Sequence, residues 1–276
     1  MITNHALLVL LTAVIFAPFT AFSQGSLTPG GAPAPTMKTL EQIEPRTLIS
    51  SLPYTINQPG SYYLATNLFG VSNDYGIQVL ANNVTVDLNG FTLRGVTNAL
   101  DGLVIFQSSS NVTVCNGMIS GWGLGNYAIR GLGRHATLKN LTISGNNFGV
   151  SCDAGSVIQN CLITSNQRDG INLNGAGSQI VNNTVANNNT LGGSGNAAVN
   201  IIGANNRIEG NHVTVNNGGF GIFVFFGTST NNVVVKNSVI GAGVNNYSIV
   251  PGNAVGPFIN SGGTITNLNP WANFSL

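Results

Sequence analysis

Seven times along this chain an apolar residue is followed by another five positions later: Val86/Phe91, Val114/Ile119, Leu138/Ile143, Ile158/Ile163, Ile180/Val185, Ile208/Val213 and Val234/Val239. The copies recur about every 25 residues, the period of a solenoid coil. Within a copy, Val84-Thr85-Val86, Val112-Thr113-Val114 and Ala136-Thr137-Leu138 alternate apolar and polar. Successive side chains of a strand point to opposite faces, so the alternation predicts a short strand with its aliphatic members inward and Thr outward. An Asn follows at Asn89, Asn116, Asn140, Asn160, Asn182, Asn211 and Asn237. Asn tolerates the left-handed backbone and bonds its own main chain, so this row predicts a stacked bend. A second strand then carries Ile143, Ile163 or Val185 inward, and a further Asn turn comes at Asn146, Asn166, Asn188 and Asn216.

A third strand is announced by glycine: Gly76-Ile77-Gln78-Val79, Gly102-Leu103-Val104-Ile105, Gly149-Val150-Ser151-Cys152, Gly170-Ile171-Asn172-Leu173 and Gly221-Ile222-Phe223-Val224. Ala198-Val199-Asn200-Ile201 fits with Ala in place of Gly. Three short strands per repeat, without helical periodicity between them, predict an all-β, right-handed parallel β-helix of about eight coils. Each coil stacks ~4.8 Å above the last, the strand spacing of any sheet.

Asn83-Val84-Thr85-Val86-Asp87-Leu88-Asn89-Gly90-Phe91-Thr92-Leu93, preceded by Pro59-Gly60-Ser61-Tyr62-Tyr63-Leu64, resembles the opening coil of right-handed parallel β-helix proteins of the pectate-lyase-like superfamily. The stretch Gly31 to Leu40 and the ending Asn269 to Leu276 are similar to those of a set of secreted bacterial β-helix proteins with no assigned activity. The resemblance implies the fold and admits polysaccharide lyases, glycosidases, epimerases, phage tailspikes and periplasmic proteins. Kinship of fold does not choose among them.

Residues 1–23 read as a signal peptide: the apolar run Ala6 to Phe16 is too short to span a bilayer, and Ala21-Phe22-Ser23 suggests cleavage before Gln24. No later segment is apolar enough to span a membrane. The expected location is therefore extracellular, at the cell surface or periplasmic. Residues 24–36 form a Pro/Gly-rich linker, and 37–53 an N-terminal cap in which Met37, Leu40 and Ile43 recur at helical spacing before Pro45. The β-helix is placed at 54–250, and the tail 251–276, with Phe258, Trp271 and Phe274, covers the other end.

Charge is scarce. Lys and Arg number 9 and Asp and Glu 8, so no basic face for nucleic acid exists and an anionic polymer finds little bulk attraction. Of the three cysteines, Cys152 falls inward on a third strand, Cys161 at a turn and Cys115 outward on a first strand; free thiols are the main reading and a Cys152 to Cys161 bond the alternative. No Cys/His spacing matches a zinc site.

Catalytic candidates are few. Asp101 and Asp169 each precede a strand glycine but stand three coils apart, and Asp74 with Asp101 is the nearest carboxylate pair on adjacent coils. A glycosidase needs two carboxylates roughly 5 to 9.5 Å apart. The concentration of Arg130, Arg134, His135, Asp153, Arg168 and Asp169 around third strands is the other candidate. There Arg134, His135 or Arg168 could act as a base, with Asp153 or Asp169 holding a Ca²⁺ ion under a lyase reading. For sugar contact the candidates are Trp122, Tyr127, Arg130, Asn172 and Phe223, with Phe220, Phe225 and Phe226 crowding the same coil as Phe223.

The sequence therefore predicts a secreted, non-catalytic β-helix that binds or scaffolds at a cell surface or polysaccharide, needs no cofactor, and leaves the oligomeric state open. The alternative is a polysaccharide lyase or glycoside hydrolase.

Overall fold

The computed structural model describes residues 43–123, 127–214, 216–225, 227–260 and 264–276. The signal peptide, the linker, Phe226 and all of the expected cap helix except Ile43 lie outside the described residues. The chain divides into two compact units, Met1–Glu44 and Pro45–Leu276, and the architecture is that of the second.

That unit is an all-β parallel solenoid, with eight coils closed between the strands Gly60–Leu64 and Tyr247–Ile249. Every pairing is parallel. One sheet of 18 strands carries the first and second strands of the coils, and a sheet of nine carries the third. In two coils the first and second strands run together as Val112–Ser120 and Thr137–Ser144, which joins two faces into the larger sheet. The register is in step throughout: Val114 pairs Leu138, Leu138 pairs Ile158, Ile158 pairs Ile180, and Ile180 pairs Ile208. Differences in coil length are taken up between strands, as in the stretch from Ala186 to Ala197, so the aliphatic rows stay aligned. Among the described residues no helix is long and apolar enough to cross a membrane.

Three aliphatic rows fill the interior. The first strands give Val86, Val114, Leu138, Ile158, Ile180, Ile208 and Val234, and the second strands Ile119, Ile143, Ile163, Val185, Val213 and Val239, all buried. The third strands give Ile77, Leu103, Ile129, Val150, Ile171, Val199 and Ile222. One expected pair is corrected. Leu93, not Phe91, stands level with Ile119, because Asn89 (φ 52°) and Gly90 (φ 82°) lengthen that turn.

The first corner contains two Asn rows where the sequence suggested one. Asn116, Asn140, Asn160 and Asn182 bend the chain in the left-handed conformation, with φ from 53° to 58°. In the next two coils Gly210 (φ 66°) and Lys236 (φ 58°) make this bend. Asn211 and Asn237, expected to be bend residues, sit one position later and are buried in a ladder with Asn183 and Asn273. Each carboxamide oxygen accepts the main-chain N–H of its neighbour one coil back: Asn183 from Cys161, Asn211 from Asn183, and Asn237 from Asn211, all at 3.0 Å. Each amide nitrogen donates to a main-chain carbonyl, that of Asn183 to Ile158, of Asn211 to Ile180 and of Asn237 to Ile208.

The second corner repeats the device with Asn146, Asn166 and Asn188, joined by bonds of 3.0 and 3.1 Å. The third uses Ser156, Ser178, Asn206, Asn232 and Asn253. The corners thus bury peptide groups but supply their partners from the coil above or below, as buried main-chain groups require.

All three cysteines are free and buried. Burial pushes the Cys152 thiol up to about 12 and that of Cys161 to about 11, so both are protonated at neutral pH. Cys115 does fall on an outward file, level with Asp87 and Lys139, yet it is covered rather than exposed.

Two stability outcomes follow from this packing. Ile158→Ala should cost about 2 to 5 kcal/mol in urea unfolding through the cavity it leaves, and a loss under ~1 kcal/mol would contradict the inward row. Asn211→Ala strands the Asn183 N–H and the Ile180 carbonyl. At about 1 to 3 kcal/mol for each buried group left unpaired, a loss of several kcal/mol is expected, and a neutral result would remove the ladder from the account of stability.

Candidate functional site

The outer face of the nine-stranded sheet brings together most of the candidate side chains. Its construction depends on the small residue that opens these third strands, Gly102, Gly149, Gly170 and Gly221, with Ala128 and Ala198 in the other two. A Cβ on Gly149 would lie 2.2 Å from the Gly170 carbonyl, and one on Gly221 would lie 2.2 Å from Val239. These positions face the packed interior, and the residue before each points to the outer side of the sheet, where Asp101, Asp169 and Ala197 are nonetheless covered by their neighbours. One file therefore runs Asp101, Tyr127, Phe148, Asp169, Ala197 and Phe220. Beside it runs Val104, Arg130, Ser151, Asn172, Asn200 and Phe223.

Aromatic rings sit at both ends of this strip. Phe148 stacks on Tyr127 with centroids 4.7 Å apart and planes at 24°, and the Arg168 guanidinium lies 5.5 Å from the Phe148 ring centre. Burial, opposed by the Asn172 side chain at its hydroxyl, raises the Tyr127 phenol above its ordinary value. Three coils beyond Phe148, Phe220 stacks on Phe223 at 4.5 Å and 12°. Phe223, placed outward by alternation, is outward but only 7 % exposed, because Phe220 covers one face and the edge of Phe225 meets it at 5.5 Å. Between the aromatic pairs stand Asn172 and Asn200, each half-exposed, with buried Oδ1 atoms that have no hydrogen-bond partner among the described residues.

The two buried carboxylates of the strip act first as couplings between coils. Asp101 Oδ1 accepts the Tyr127 N–H at 2.8 Å, and Arg130 Nη1 lies 3.7 Å from Oδ2. Burial pushes its pKa up, against the opposing pull of the Tyr127 N–H and Arg130. Asp169 makes the equivalent bond to the Ala197 N–H at 2.6 Å. Burial pushes it to about 6, with the Ala197 N–H and then Arg168 acting the other way. The three-coil separation of about 14 Å exceeds the span of a glycosidase pair. Asp74, the adjacent-coil candidate, caps its neighbour by accepting the Tyr75 N–H at 2.8 Å.

The six-residue ionisable cluster is split in two. Arg168 and Asp169 lie at the start of a third strand, and Arg130 reaches back along its own strand to Asp101, whereas Arg134, His135 and Asp153 lie at the corner beyond the strand ends. Asp153 caps Ala154 at 2.7 Å, and the exposed His135 lies in the left-handed conformation with its ring over Gly155. Asp153 is five residues along the strand from Phe148, the position level with Asp169, a run of about 16 Å. Asp153 and Asp169 therefore cannot hold one Ca²⁺ ion, and among the described residues no three His, Cys, Asp or Glu side chains converge.

Trp122 is the clearest departure from expectation. It is not a loop aromatic open to a ligand but a fully buried core residue. Its indole N–H donates to the Leu93 carbonyl at 3.1 Å, and its main-chain N–H caps the second Asn ladder through Asn146 at 3.0 Å. Gly70 and Gly76 make room for its six-membered ring, which lies within 2.6 and 2.7 Å of where their Cβ atoms would be. Conversely, Phe148, Phe220 and Asn200 join the strip without having been singled out as contact residues for it. A signal was present in Phe148-Gly149 and Phe220-Gly221, which place an aromatic where Asp101 and Asp169 stand in other coils.

The buried Asp169 gives a pH signature. Its folded pKa lies above the ordinary 3.8, so its contribution to stability is full below that value and is lost as pH rises through about 6. At about 1.4 kcal/mol for each pH unit, the loss across that window is about 3 kcal/mol. Urea unfolding of wild type and Asp169→Asn across the window should show a steeper fall in wild type, the difference being this loss, because Asp101 titrates in both; equal slopes would contradict the burial.

The sequence of residues 127–269 matches the family described as right handed beta helix region. No match was found among the curated proteins. Among solved structures, tailspike protein 2 of Escherichia coli O157:H7 bacteriophage CAB120 is 15 % identical with a TM-score of 0.45, the match covering 73 % of this chain and 32 % of that one. The DFA-IIIase of Arthrobacter chlorophenolicus A6, in complex with DFA-III, is 12 % identical with a TM-score of 0.45, covering 80 % of this chain and 61 % of that one. The Dettilon tailspike protein is 12 % identical with a TM-score of 0.38, covering 83 % and 61 %. The chain thus spans about a third of the first of these structures and about three fifths of the other two. The family match extends over more than half of the sequence, from the third strand at Tyr127 into the C-terminal tail, and the chain belongs to the right-handed β-helix family.

Proposed function

We propose that this chain is an exported, non-catalytic β-helix that binds a polysaccharide or cell-surface glycan along the outer face of its nine-stranded sheet. The observation that carries the reading is the order on that face: the Tyr127/Phe148 pair, the amides of Asn172 and Asn200, then the Phe220/Phe223 pair. A sugar offers an apolar face of C–H groups to an aromatic ring and hydroxyls to an amide. An unpaired buried acceptor carries a penalty of about 1 to 3 kcal/mol, which a ligand hydroxyl relieves once the amide turns toward it. Adjacent coils present equivalent groups at ~4.8 Å intervals, a repeat suited to an extended polymer. The reading requires neither a cofactor nor nucleic acid.

One observation favours the enzymatic alternative: Asp169, with its pKa raised to about 6 beside Arg168, has the character of a general acid. It lacks a second carboxylate at working distance. Incubation with uronate-containing and neutral polysaccharides should give retention on at least one polymer without release of reducing or unsaturated ends. Tyr127→Ala or Phe223→Ala should weaken retention about tenfold, or ~1.4 kcal/mol, while Thr214→Ala on the other sheet should not. Product release abolished by Asp169→Asn would replace this reading with the lyase or hydrolase; retention indifferent to both aromatic substitutions would refute the site.

A further inference from the structure

Away from that face, where the second strands turn toward the nine-stranded sheet, Arg94, Gly95, Val96, Thr97, Asn98, Gly121, Gly123 and Gln167 line a cleft of about 430 Å³. Among the described lining residues one side chain is charged. Arg94 ends the strand Thr92–Arg94, is exposed, and has no acidic partner among the described residues. The four ion pairs among those residues engage Arg46, Arg130, Arg207 and Lys236 instead.

The cleft wall exposes main-chain donors beside main-chain carbonyls. The main-chain N–H groups of Val96, Thr97 and Asn98 make no hydrogen bond among the described residues. Asn98 is held in the left-handed conformation at φ 62°. Gly123 has no side chain to fill the space beside this turn, where a Cβ would stand 3.7 Å from the Asn98 nitrogen and the Ala99 carbonyl oxygen and 3.8 Å from the Val96 carbonyl oxygen. Thr97 and Gln167 add a hydroxyl and a carboxamide.

The frame is rigid. Gly95 packs so closely on Gly121 that a Cβ there would fall 2.3 Å from its carbonyl oxygen, and the neighbouring Trp122 is fully buried and bonded at both its nitrogens. A guanidinium with N–H and O–H donors around a space that has no acidic lining residue among the described residues matches the needs of a compact oxyanion.

We infer that this cleft is an oxyanion-binding site in which Arg94 supplies the charge and the 96–98 main chain the directed donors, for a carboxylate, sulfate or phosphate group carried free or on a glycan. It stands apart from the aromatic strip and does not depend on glycan binding there.

The test is titration of the full chain with inorganic sulfate, inorganic phosphate and glucuronate at constant ionic strength, following the amide resonances of Gly95 and Gly121. A sulfated glycan and its desulfated form distinguish a free ion from a polymer substituent. At least one anion should saturate with one site per chain. Arg94→Gln should weaken it at least tenfold with an unchanged melting profile, whereas Arg134→Gln, which removes another exposed arginine, should leave it intact. Absence of saturation by any probe, indifference to Arg94→Gln, or equal weakening by Arg134→Gln would each overturn the inference.

Discussion

Each coil of a parallel solenoid must turn its main chain through three corners, and a corner whose peptide groups are buried must find their partners without a sheet to provide them. The asparagine and serine ladders meet that constraint. Asn183, Asn211 and Asn237 each accept a main-chain N–H from one neighbouring coil and donate to a carbonyl on that side of the stack. A carboxamide is suited to this because it offers both an acceptor and two donors on a short stem. The ladders join the parallel strand pairings in keeping the aliphatic rows in step. A slip of one residue would turn Ile158 and Ile180 from the core to the surface.

The same alignment creates the outer face. Because the corners absorb changes in coil length, the strands keep their register and the outward side chains form straight files. The small residues opening the third strands, Ala128, Gly149, Gly170 and Gly221, then set Tyr127, Phe148, Asp169 and Phe220 in one outward file. The outer face is a consequence of stacking. The outward positions of the third strands carry rings and amides with little charge.

Fold was legible in the sequence because it is written several times over. Alternation, the five-residue spacing and the strand glycines each recur, and tertiary packing had no reason to override them. Individual positions were less legible. Asn182 and Asn183 are adjacent and chemically identical, yet one bends the chain and the other is buried in a ladder, and only the register separates Asn211 from the bend row. Trp122 is glycine-flanked like a loop residue, but its room is made by Gly70, Gly76 and Gly102, distant in sequence and adjacent in the stack. The ionisable cluster looked continuous because sequence distance hides the length of a strand, which separates Asp153 from Asp169.

The most direct test of the corner ladders is the rate of hydrogen exchange of asparagine side-chain amides, measured by NMR on the intact chain. The side-chain NH₂ groups of Asn183, Asn211 and Asn237 should exchange as slowly as the main-chain amides of the core strands, while those of the exposed bend residues Asn160 and Asn182 exchange freely. Equal, fast exchange in both sets would mean that the carboxamides do not hold the corners, and that the register depends on the aliphatic rows alone.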